Sequence, residues 1–114
     1  MDALEMTLLF DYYGDLLTDR QRLCIDMRYN QDLSLGEIAQ ELGVSRQGVF
    51  DTITRAEALL RNMEEKTGCV ERDLRCRRAV TEIRGAAQAL SVHSDPRVAE
   101  TAKRILETAA HIEE

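Results

Sequence analysis

The sequence has few residues that interrupt a helix: one proline and six glycines in 114 residues, against fourteen leucines and twelve alanines. That composition predicts an all-α chain. An excess of basic residues is also missing. Fifteen Lys and Arg face twenty-one Asp and Glu, a net charge of −6, which excludes a globally basic coat for nucleic acid or membrane. No hydrophobic run is long. The longest stretch without a charged residue, Gly85 to Ser94, is about half of a bilayer span. No basic-then-apolar N-terminus precedes a cleavage site, so a cytoplasmic protein with no membrane partner is expected. The three cysteines, Cys24, Cys69 and Cys76, form no CxxC pair and are read as reduced thiols, with Cys24 in the core. His93 and His111 have no ligand-spaced neighbours, so no metal is expected. No His–carboxylate pair, GxSxG, P-loop or HExxH occurs, which argues against an enzyme and against a cofactor.

What remains is a string of helices with legible ends. Leu4, Leu8, Leu9, Tyr12, Tyr13 and Leu16 step by three and four residues and predict one apolar face of a first helix, broken at Gly14 and Thr18. Thr18 with Gln21 has capping-box form and opens a second helix to about Tyr29, with Leu23, Cys24 and Met27 as its stripe. Ser34 with Glu37 is a second capping box, opening a short helix that turns Leu35, Ile38, Ala39 and Leu42 inward. Gly43 ends it in a left-handed conformation. Ser45 caps a helix with Val49, Ile53, Ala56 and Leu60 inward, ending near Thr67-Gly68. Beyond it, Cys76, Val80, Ile83, Ala87, Leu90 and then Val98, Ala102, Ile105, Ala109, Ile112 are two heptad runs. They are separated by Ser91 to Pro96, with Asp95 as cap, and predict an αα-hairpin. Residues 1–67 are thus expected as one domain and 68–114 as a C-terminal hairpin, packed on the first or mediating dimerisation.

The segment Ser34 to Leu60, a short helix, a glycine turn and a longer helix, has the mechanics of a helix-turn-helix. Ala39 is small where the second helix crosses, and Val44 with Val49 is expected to plug the angle between the helices. Ile53, rather than Thr52, supplies the packing three to four residues further on. As a reader of nucleic acid, the motif would lay the first turn of the second helix in a groove. There Arg46 and Gln47 reach base edges, while Ser45 and the backbone amides reach phosphate. Phe50, Thr54 and Arg55, the last two turns on, are further candidate contacts on the faces that the inward stripe leaves outside. Asp51 beside that face opposes phosphate contact.

Leu17-Thr18-Asp19-Arg20-Gln21-Arg22, Leu33 to Ala39, Val44 to Gln47 and Arg55-Ala56 resemble region 4 of bacterial sigma factors. Tyr12-Tyr13 with Leu16-Leu17-Thr18, Asp32 to Leu35, and Ser45-Arg46-Gln47 with Asp51 and Arg55 more closely resemble the YlxM-like helix-turn-helix family. The resemblance covers about residues 8–76. Gly48 and Phe50 depart from it, standing where alanine and tyrosine are expected. It implies a sigma region 4-like, winged-helix-like three-helical core, with the recognition helix on Ser45 to Leu60. It also implies a link to the signal recognition particle, through that family's gene neighbourhood. The hairpin after about residue 77 is longer than expected for the family.

These residues leave two functions in contention: a nucleic-acid-binding regulator acting on DNA or RNA, or an adaptor of the signal recognition particle that keeps the fold without binding DNA. The charge is lopsided. Residues 1–66 hold seven bases and thirteen acids, whereas residues 67–114 hold eight of each. An acidic half suits a basic protein surface, and Arg72, Arg75, Arg77, Arg78 and Arg84 form either a solvated face or a contact for RNA phosphates. The heptads either pack on each other or join two copies into a homodimer.

Overall fold

In the computed structural model, which describes residues 3–112, every regular element is a helix and no strand occurs among those residues. The described residues are all-α, as expected. It divides into two compact units, residues 1–70 and 71–114.

In the first unit, α1 (Ala3–Tyr13) buries Met6, Leu9 and Tyr13. Leu9 and Tyr13 belong to the expected stripe, but Met6 completes it in place of the others: Leu4 and Leu16 are exposed, and Leu8 and Tyr12 are half-buried. The segment is apolar almost all round, so more than one stripe is available, and packing against a later helix selects among them. A 3-10 turn at Gly14–Leu16 leads to α2 (Asp19–Ile25), opened by a complete capping box. The Gln21 N–H donates to Thr18 Oγ1 at 3.2 Å, and the Thr18 N–H donates to Gln21 Oε1 at 3.0 Å. A π-helical turn, Asp26–Asn30, extends it, and Asp26 accepts from the side chains of Asn30 and Gln31. Here burial falls on Cys24, Ile25 and Met27, while Leu23 is exposed. The stripe is displaced because α2 packs on the later long helix whereas the π turn also faces α1 and the following short helix.

That short helix, α3 (Leu35–Leu42), carries the second capping box, Ser34 with Glu37, and buries Ile38 and Ala39. Gly43 ends it at φ 67°, a left-handed geometry that costs glycine little. Ser45 then caps α4 (Arg46–Thr67), which buries Val49, Ile53, Ala56 and Leu60 as expected and stops at Gly68, φ 62°. α4 packs against α1, α2 and α3, so it is the axis of the unit. Burying each large aliphatic of its stripe is worth about 1.5 to 3 kcal/mol. Val44 does not plug the helical corner; it is 44% exposed, and only Val49 is buried there.

The second unit is a helical hairpin. α5 (Cys69–Leu90) begins inside the first unit, where Val70 is buried and its N–H donates to Glu64 Oε1 at 3.0 Å. α6 (Pro96–Ile112) starts where Asp95 Oδ1 accepts from the Arg97 N–H at 2.9 Å. Val80, Ala87, Ala102 and Ala109 are buried, whereas Ile83, Leu90, Ile105 and Ile112 are exposed. Only half of the expected heptad seam is therefore covered. Along the start of α5, Arg75 pairs with Glu71 at 3.4 Å and Arg77 with Asp73 at 3.3 Å. Those two arginines face partners on their own helix, which is the pattern of a solvated, ion-paired face. Among the described residues no helix is long and apolar enough to cross a membrane.

Candidate nucleic-acid interface

The α3–turn–α4 corner is built by local chemistry at both ends of the turn. Gly43 N–H bonds back to Ala39 O and so does Val44 N–H, at 3.0 Å, which closes α3. One residue later Ser45 Oγ accepts from the Gly48 N–H at 3.0 Å and starts α4. The Ser45 oxygen is thus engaged in capping, and its hydroxyl proton is what it has left to offer a phosphate. Gly48 matters to this cap. A Cβ there would stand 3.1 Å from Ser45 Oγ, so alanine would crowd the hydroxyl.

From that start, Arg46, Gln47, Phe50, Thr54 and Arg55 are all exposed: Gln47, Phe50 and Thr54 share the outward face of α4, whereas Arg46 flanks the buried stripe of Val49, Ile53, Ala56 and Leu60 on one side and Arg55 lies half a turn round from Arg46. The six residues singled out in the sequence are all exposed, but they do not form one patch: Ser45, Arg46, Gln47 and Phe50 cluster at the start of α4 and Arg55 lies two turns on. Their environments differ. Arg46 has no hydrogen-bond or ion-pair partner among the described residues, and its stem lies beside Gly36 of α3, where a Cβ would sit 3.8 Å from Arg46 Cδ and Nε. Gln47 donates from Nε2 to Asp51 Oδ1 at 3.0 Å, one turn on. That bond engages the amide nitrogen and leaves the oxygen as an acceptor. Phe50 is 50% exposed between them. The exposed surface is therefore mixed: two cations, one carboxylate, an amide and an aromatic ring. Glu37 and Glu41 on α3 are exposed as well, and the Ser34 backbone N–H holds the Glu37 carboxyl below its usual range.

Two side-chain clusters hold α4 in place, and neither was visible in the sequence. Tyr29 of the π turn donates to Glu57, which also receives Arg61 at 3.2 Å. Burial, then the Glu57 carboxylate, pushes the Tyr29 phenol up to about 12. At the far end, the Tyr13 hydroxyl donates to Glu64 Oε1 at 2.6 Å and lies 2.6 Å from Thr67 Oγ1. Burial, reinforced by Glu64, raises the Tyr13 phenol also. These partners are 28 to 54 residues apart in sequence, so no spacing rule signals them. The Gln47–Asp51 bond was legible, since partners four apart on a helix adjoin.

A family model described as "Putative helix-turn-helix protein, YlxM / p13 like" (UPF0122) matches residues 1–95. The chain belongs to the UPF0122 family. Among its relatives, a UPF0122 protein of Thermoanaerobacter sp. (strain X514) is 46% identical over 114 residues, covering 99% of this chain and 95% of that one. One from Acetivibrio thermocellus is 46% identical over 90 residues, 79% and 77% of the two chains. One from Desulforamulus reducens is 42% identical over 102 residues, 90% and 87% of the two. The resemblance drawn from Tyr12 to Arg55 is thereby borne out. The likeness extends further than residues 8–76: the family model reaches residue 95, through α5, and the alignment with the Thermoanaerobacter UPF0122 protein runs on through α6.

Proposed function

We propose that the chain is a helix-turn-helix regulator that binds nucleic acid through the first turns of α4 and works in the signal recognition particle pathway. The observation that carries this is the exposure of Arg46, Gln47 and Phe50 immediately after a capped helix start, with Thr54 and Arg55 also exposed further along. A helix N-terminus attracts phosphate, and arginine and glutamine side chains there suit base edges. The pathway assignment rests on the likeness to the YlxM-like proteins. DNA is the favoured ligand, with the particle's RNA as the other nucleic acid to test.

A second reading, an adaptor that meets a protein of the particle, is favoured by specific features. Phe50 and Val44 are exposed apolar groups beside the turn, Asp51 occupies the reading face, and residues 1–66 carry a net charge of −6. Fluorescence anisotropy across a salt series separates the two. Phosphate contacts predict affinity that falls steeply with salt, and Arg46→Ala should weaken binding by about 1 to 3 kcal/mol. No binding to duplex DNA or to the particle's RNA at low salt, together with binding to the particle's protein, makes the chain an adaptor.

A further inference from the structure

The hairpin packs the wrong way round for a finished core. Its two heptad runs each contain two apolar rows. The row that is buried, Val80, Ala87, Ala102 and Ala109, is made of small side chains, while the row of large aliphatics stays outside. Ile83 is 52% exposed, Leu90 46%, Ile105 38% and Ile112 61%. The outer row is not scattered. Val80, Ile83, Ile105 and Ile112 line one groove of about 400 Å³ together with Arg104, and Leu90 lines the adjoining one with Val98 and Ile105. These linings also fix the register: the start of α6 meets the end of α5, so the two exposed rows run side by side along an antiparallel pair. A contiguous apolar stripe on a small unit marks a contact surface.

We propose that this stripe is covered by the same stripe of a second copy of the chain, the two hairpins forming a four-helix bundle. Three observations select that occupant. Both helices present large aliphatics at the same heptad spacing, so a second hairpin offers knobs of the right size and period for the first. The stripe belongs to two helices related by an antiparallel pairing, which suits an isologous contact in which each copy gives what it receives. The charge points the same way. Residues 71–114 hold eight basic and eight acidic residues, so two hairpins approach without net repulsion, whereas residues 1–70 hold seven and thirteen and repel their own kind. The contact is independent of whether α4 binds nucleic acid.

Sedimentation velocity of the full chain, without nucleic acid, from about 1 to 100 µM tests it. A dimer that persists when salt is raised is expected, since the seam is apolar. Ile83→Asp and Ile105→Asp should each raise the dissociation constant by about a hundredfold, with helical circular dichroism unchanged because both side chains are already exposed. If either variant loses helicity, Leu90→Asp provides the same comparison at the other end of the stripe. A monomer throughout the range overturns the proposal and leaves the groove to a different protein. A dimer that none of these substitutions weakens overturns it too, by placing the contact elsewhere.

Discussion

The two units differ in what they bury, large side chains in one and small ones in the other. In residues 1–70, α4 touches three helices and the largest fully buried side chains include Met6, Ile25, Ile38 and Leu60. In the hairpin what disappears is one valine and three alanines. Both regions carry regular apolar periodicity. A helix at the centre of three others can bury a whole stripe of large side chains, as α4 does.

The sharpest test of that contrast truncates one aliphatic in each unit. Leu60→Ala should cost about 2 to 5 kcal/mol in urea unfolding, through lost burial plus the cavity left behind. Ile83→Ala, measured in dilute solution, should cost no more than about 1 kcal/mol because its side chain already faces water. Equal costs would break the comparison.

Next in size is the Tyr13 cluster, the polar counterpart of the first unit's core. Tyr13→Phe keeps the ring but removes the hydroxyl from Glu64 and Thr67, leaving the carboxylate with fewer donors. A loss of about 1 to 3 kcal/mol follows, with faster amide exchange at Val70, whose N–H shares the same Glu64 oxygen. An unchanged unfolding midpoint would remove the cluster from the account of what holds α4.

Ser45→Ala should cost about 1 kcal/mol of stability by uncapping α4. Since Gly48 joins that cap only through its backbone N–H, thermal melts of Ser45→Ala with and without Gly48→Ala show whether crowding of the hydroxyl is real: the alanine should help more once the hydroxyl is gone.

The smallest effects are on pH dependence, and they belong to the first unit. Tyr29 is raised to about 12, so its contribution is complete below the ordinary tyrosine value near 10 and is lost as pH climbs towards the raised one. Glu37 is lowered, so its contribution is complete above the ordinary glutamate value near 4.3 and is lost as pH falls below it. Urea midpoints across pH should sag at both ends. Tyr29→Phe should flatten the alkaline limb and Glu37→Gln the acid one, the glutamine still able to accept from Ser34 N–H.

Much of this was readable from the chain because much of it is local. Thr18 with Gln21, Ser34 with Glu37, Ser45 as a cap, and Gly43 and Gly68 at positive φ are contacts within four residues or demands of a single backbone, and short-range chemistry has few alternatives. The stripe Val49, Ile53, Ala56, Leu60 was equally plain, because the opposite arc of α4 is polar and only one side could turn inward. The outward placement of Arg46, Gln47, Phe50, Thr54 and Arg55 follows from that stripe.

What the sequence left open were choices among equivalents. α1 has several apolar stripes, and the one through Met6, Leu9 and Tyr13 is taken because α4 lies there. The hairpin has two heptad rows, and it is the row of small side chains that is buried. Tyr13 meets Glu64 and Tyr29 meets Glu57 only once distant helices have docked. Sequence by itself determined the helices, their caps and the polar face of α4, since those depend on residues within a turn or two of each other. Tertiary structure alone decided which apolar face each ambiguous helix buries, because that depends on the shape of a partner arriving from far along the chain.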